Sequence, residues 1–100
     1  MTGQPYLYAI GWTALDVWYL GCRYAQNCSP ADLWTSYFTS SKVVAKFRKL
    51  NGEPDHIEVL FTGDAIHILK SEQEALTEFG ITSSEKWLNQ RSSHTSGTDY

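Results

Sequence analysis

Apolar and polar residues change period along the chain. Residues 6–12 (YLYAIGW) and 17–24 (VWYLGCRY) are short aromatic and aliphatic runs. Such residues suit a pleated, half-buried surface. The gap between the runs is short enough for an antiparallel hairpin. Gly21, inside the second run, predicts a bulge or a close approach of another group to the backbone. Residues 25–32 (AQNCSPAD) are loop chemistry, and LWTSYF after them reads as a helical turn capped by Ser29 or Asp32. In KVVAKFRKLNG, Val43, Val44, Phe47 and Leu50 recur at helical spacing. Thr39, Ser40 and Ser41 supply the start of that helix, and Gly52 and Pro54 end it. Residues 55–62 (DHIEVLFT) alternate imperfectly and predict a third strand with Ile57, Val59 and Phe61 on one face. Thr62 or Asp64 then caps a second helix, AIHILKSEQEALTEF, ending at Gly80.

These elements predict an α/β (α+β) domain over residues 1–90, with a small three-stranded antiparallel sheet flanked by helices. The segment ITSSEKWLNQ is expected to pack back through Trp87 and Leu88 as a short helix or turn. Residues 91–100 (RSSHTSGTDY) are polar without periodicity and read as a flexible tail, which sets His94 and Tyr100 apart from any chemistry.

The second helix carries one anomaly. Its apolar stripe reads Ala65, Leu69, position 72, Leu76, Phe79, and position 72 is a glutamate. A carboxylate in an apolar stripe costs desolvation unless something pairs with it. Two readings fit: Glu72 is a functional group turned inward, or it sits at the stripe's edge and reaches water.

Composition narrows the possibilities. The chain has 100 residues, 42 % hydrophobic and 14 % aromatic, enough for one folded core. No apolar run approaches the roughly 20 residues of a membrane span, and no signal peptide is apparent. Cys22 and Cys28 read as reduced, buried or partly buried thiols. The net charge is −3, but residues 1–50 carry +3 and residues 51–100 carry −6. The asymmetry predicts a basic face and an acidic face. On the first helix, Lys42, Lys46 and Lys49 stack into a basic stripe. That stripe is either a solvated surface or a site for phosphates.

The hairpin places two phenols, Tyr8 and Tyr19, on neighbouring strands. They are either a cross-strand aromatic pair or part of a site. The order of hairpin with two tyrosines, basic helix, strand, and helix with an inward glutamate resembles the GIY-YIG nuclease family. Tyr6-Leu7-Tyr8-Ala9-Ile10 stands at the first motif, and Tyr19-Leu20-Gly21 at the second, eleven residues on. The stretches Tyr37–Lys42 (YFTSSK), Asn51–Asp55 (NGEPD) and Trp87–Asn89 (WLN) are similar to small, phage-borne, homing-endonuclease-like members. The resemblance covers roughly residues 5–90. Tyr6 and Leu7 stand where the family has glycine and isoleucine, and the family's helix arginine has two candidate counterparts, Arg23 and Arg48.

The resemblance implies a DNA endonuclease that uses one divalent cation, Mg²⁺ or Mn²⁺, held by Glu72. It implies Tyr8 as the general base or water-orienting group, Tyr19 on the phosphate or water, and Arg23 or Arg48 stabilising the transition-state charge. Lys42, Lys46, Lys49 and Asn89 would contact or support the DNA. It further implies a phage protein acting in a host cytoplasm, with no membrane and no stable protein partner. A second expectation is a catalytically weak or inactive module of the same shape that binds nucleic acid or a host protein.

Overall fold

The computed structural model describes residues 3–81, 84 and 86–89. Three strands, β1 (Tyr6–Trp12), β2 (Val17–Arg23) and β3 (His56–Thr62), form one antiparallel sheet in the order β2-β1-β3. Two helices, α1 (Lys42–Asn51) and α2 (Ala65–Glu78), complete an α+β fold. The centre falls to β1 because it alone is apolar on both faces: six of its seven residues are buried. Period-two alternation divides it. Tyr6, Tyr8, Ile10 and Trp12 face one layer with Val44 of α1 and Leu33. Leu7 faces the other, with Leu20, Ile81 and Ile68 of α2.

The helix ends follow their caps. Ser41 accepts the Val44 N–H at the start of α1, and Asp64 accepts the His67 N–H at the start of α2. Trp12 pins α1 to the hairpin: its Nε1 donates to the Gly52 carbonyl at 2.8 Å, and its ring meets Phe47 edge-on.

Three sequence expectations change. The α2 stripe runs through Ile68 rather than Leu69: Ile68 is buried, Ala65, Glu72, Ala75 and Leu76 are half-buried, and Phe79 is exposed. In β3, the register against β1 shifts, so that Leu7 and Tyr8 face Phe61 and Val59, with Leu60 bulged between. The bulge sends Phe61 to the α2 face while Ile57 and Val59 stay opposite Ile10 and Tyr8. The turn expected at LWTSYF forms earlier, as a 3-10 turn at Pro30–Asp32 with a Ser29–Asp32 capping box.

Residues 86–89 lie along the outer edge of β2. The Trp18 N–H donates to the Lys86 carbonyl at 2.8 Å, and the Leu88 N–H donates to the Trp18 carbonyl at 2.7 Å. Next along, the Asn89 side chain takes the place of a peptide group: its Oδ1 accepts the Leu20 N–H at 2.8 Å and its Nδ2 donates to the Leu20 carbonyl at 2.6 Å. The edge is thereby covered. The expected tail, 91–100, lies outside the described residues. No helix among the described residues is long and apolar enough to cross a membrane.

Candidate functional site

Gly21 sits directly opposite Tyr8 in the hairpin. A Cβ there would stand 2.5 Å from the Tyr8 hydroxyl oxygen and 2.7 Å from the Tyr19 ring. The missing side chain is the space in which the two phenols meet, and it accounts for the close approach expected at this glycine. The Tyr8 and Tyr19 ring centroids are 6.3 Å apart, and Tyr37 meets Tyr8 edge-on at 6.0 Å.

Thr39 fixes the tips of these rings. The Tyr8 hydroxyl donates to Thr39 Oγ1 at 3.0 Å, and the hydroxyls of Thr39 and Ser41 lie beside the Tyr19 phenol. Thr39 has φ 71°, a left-handed conformation that a β-branched residue adopts only under constraint. Tyr37 and Thr39 were not singled out as site residues by pattern, because they lie on a loop, where periodicity carries no signal.

Burial sorts the phenols. Tyr8 is 1 % exposed, and burial, reinforced by Tyr19 and Tyr37, pushes its phenol far above the ordinary range. Tyr19 is only half-buried. Its phenol is raised to about 12, by burial first and by the nearby Glu72 carboxylate, while the Thr39 and Ser41 hydroxyls oppose the rise.

Glu72 comes from α2, on the other layer, and reaches the β2 edge of the sheet. Its Oε1 accepts the Cys22 thiol at 3.4 Å. Burial raises the Glu72 carboxyl above its ordinary value, and the thiol partly offsets this. Cys22 responds in kind, raised to about 12 by burial and then by Glu72. The glutamate is therefore half-buried, not simply reaching water, and lies near Tyr19.

The two candidate arginines separate. Arg23 belongs to the tyrosine cluster: its guanidinium lies 4.1 Å from the Tyr37 ring centroid, and Nε stands 3.8 Å from Asp32. Its Nε and the Tyr6 hydroxyl are buried without hydrogen-bond partners among the described residues. Burial raises the Tyr6 phenol to about 12, a rise that Arg23 opposes. Arg48 is engaged elsewhere. Its Nε donates to both Glu53 oxygens at 2.8 Å, and its guanidinium lies over Trp34 and Phe38. None of these partners belongs to the tyrosine cluster, so the structure does not bring Arg48 to it.

Lys42, Lys46 and Lys49 are exposed on α1. Asn89 is buried and spends its carboxamide on Leu20, beside Tyr19. That placement makes it a positioning group rather than a surface contact.

No cluster of three or more His, Cys, Asp or Glu forms a metal cage among the described residues. Mg²⁺ needs no such cage, since it keeps several waters and uses one or two carboxylates with substrate phosphate. A half-buried carboxylate whose hydrogen-bond partner is a thiol fits that minimal role. Compared with protein-family models, the curated proteins and the solved structures, the chain matches none.

Proposed function

We propose that this chain is a divalent-metal-dependent DNA endonuclease of the GIY-YIG type, hydrolysing phosphodiester bonds at the β2 edge of its sheet. The observation that carries the reading is the docking of Glu72 on β2 through the Cys22 thiol, on the strand that also bears Tyr19 and Arg23. A raised, half-buried carboxylate beside a phenol is costly for a purely structural role.

Each residue has a task suited to its surroundings. Arg23 meets the phosphate charge with a forked donor. Tyr19, the accessible phenol, orients the attacking water or a phosphate oxygen. Tyr8 stays protonated and holds Tyr19 in place through Thr39, which is a positioning role and not that of a base. Asn89 holds the backbone beside Tyr19. Glu72 would hold Mg²⁺ or Mn²⁺, which supplies Lewis-acid polarisation of a phosphoryl oxygen and a more acidic water when bound. The lysine stripe on α1 attracts the DNA backbone, a contribution that weakens as salt rises.

The test is conversion of supercoiled plasmid to nicked circles in Mg²⁺ by the wild type and by Glu72→Ala. Loss of a group stabilising transition-state charge is expected to slow nicking by about 10²-fold or more. Equal rates for the two proteins sink the assignment.

One observation favours a binding module instead. The Cys22 thiol occupies a Glu72 oxygen, and burial holds the carboxyl toward its neutral form. Salt-sensitive DNA binding by a wild type that never nicks, in either Mg²⁺ or Mn²⁺, would select that reading.

A further inference from the structure

We propose that the cleft at the Arg23 end of the sheet is a nucleobase subsite, receiving the base of a nucleotide whose phosphate pairs with Arg23. The proposal rests on the endonuclease reading and deepens it. The last rung of the sheet is Arg23, Tyr6 and Thr62, one from each strand. Just beyond that rung the three chain segments wall a cleft of about 700 Å³. Gln4 and Pro5 line it before β1, Tyr24 and Gln26 after β2, and Gly63 and Asp64 after β3. The volume lies within the range of small-molecule sites. A strand advances about 3.3 Å per residue, so the cleft begins one residue beyond the Arg23 backbone, whose guanidinium lies over Tyr37.

The walls select the ligand. No lysine or arginine lines the cleft, so it offers no cation to a phosphate. Asp64 spends both carboxylate oxygens on His67, accepting its N–H at 2.9 Å and meeting its Nδ1 at 2.7 Å. That carboxylate keeps its charge but is held by His67, and the other lining side chains are neutral. The Tyr24 side chain is 52 % exposed and, unlike Tyr8, Tyr19 and Tyr37, makes no ring contact among the described residues. Gln4 donates through Nε2 to the Pro5 and Gly63 carbonyls at 3.1 and 3.0 Å, leaving its carbonyl oxygen as an acceptor. Gln26 adds a second carboxamide. An open aromatic face with carboxamide edges is the equipment for a nucleobase, by stacking and by edge hydrogen bonds. A base seat at the arginine-bearing end of the sheet, its one carboxylate already held by His67, is a seat for a nucleotide.

The test is amide chemical-shift mapping on the isotope-labelled full chain. Three probes are titrated separately: deoxythymidine, inorganic phosphate and deoxythymidine monophosphate. The nucleoside is expected to move the Tyr24, Gln26 and Gly63 amides, phosphate to move Arg23, and the nucleotide to move both sets and bind more tightly than either. Tyr24→Ala, at an exposed position, is expected to weaken nucleoside binding about 5- to 150-fold, and Tyr24→Phe by no more than about threefold, as stacking requires. A nucleoside that leaves the cleft amides unmoved, or binds Tyr24→Ala as it binds the wild type, overturns the proposal. Plasmid nicking on the same preparations separates the two ideas. Nucleoside binding without Glu72-dependent nicking removes the endonuclease reading and keeps the base seat. Glu72-dependent nicking with a silent cleft removes the base seat alone.

Discussion

The two faces of the sheet are built from different materials. On the α1 face the buried residues include three large aromatic rings, Tyr6, Tyr8 and Trp12, and two of the three polar tips are tied down: Tyr8 to Thr39 and the Trp12 indole to the Gly52 carbonyl. On the α2 face the buried residues are the aliphatic Leu7, Leu20, Ile68 and Ile81. They leave an apolar cleft of about 380 Å³ between the sheet and α2, bordered by Leu20, Leu60, Ala75 and Trp87. Phe61 and Phe79 stay 60 % and 68 % exposed. Hydrogen-bonded rings have few ways to pack, whereas aliphatic contacts are non-directional. The tyrosines are therefore held by the specific layer, while Glu72 is carried by the adaptable one. The proposed site spans the seam between them, and its geometry depends on how firmly α2 docks.

Three substitutions probe that contrast, beginning with the most disruptive. Gly21→Ala strikes the tightly packed side, where a methyl group would stand 2.5 Å from the Tyr8 oxygen. Overpacking of this kind is expected to cost about 3 kcal/mol, measured by urea unfolding. A cost well under 1 kcal/mol would mean the ring gives way and the aromatic layer is not fixed. Ile68→Ala strikes the looser side. It is expected to cost about 2–3 kcal/mol, near the low end for such truncations because the adjoining cleft lets the site relax. The ring resonances of Tyr8 and Tyr19 should barely shift. If they move as far as those of α2 residues, the layers are not independent.

Glu72→Gln has the smallest expected effect and tests the seam itself. Burial raises the Glu72 carboxyl above its ordinary 4.5. Between the ordinary and the raised value the folded chain binds more protons than the unfolded one. Stability therefore falls as pH rises through that window. The glutamine variant lacks this loss. It should melt higher than the wild type at neutral pH and coincide with it below about pH 4. A variant that melts lower at neutral pH would show that the ionised carboxylate is stabilised by a partner rather than penalised by burial.

Much of the architecture was legible because it is written in period. The hairpin, α1, β3 and α2 follow from alternation, helical spacing and caps, each local to its segment. What escaped was set by contacts between segments. The bulge at Leu60 depends on how β3 meets β1, and it moved Phe61 to the other face. The α2 stripe turned about Ile68 because the helix docks against Leu7 and Leu20. Glu72 was recognisable as a misplaced carboxylate, since an apolar stripe makes a charge conspicuous. Its thiol partner was not, because Cys22 lies fifty residues away. The choice between Arg23 and Arg48 was likewise a matter of neighbours: Tyr37 and Asp32 for one, Glu53, Trp34 and Phe38 for the other.

The carboxamide of Asn89 also sets a schedule for synthesis. It contacts Leu20 across a sequence separation of 69, a long loop to close and a slow kind of contact to form. Until residues 86–89 have left the ribosome, the outer edge of β2 at Trp18 and Leu20 stands open to pairing with a neighbouring nascent chain. A stop codon placed just before Lys86 would remove the partners of both Trp18 and Leu20 and expose that edge, so such a truncation should aggregate during expression even though every strand and both helices have already been made.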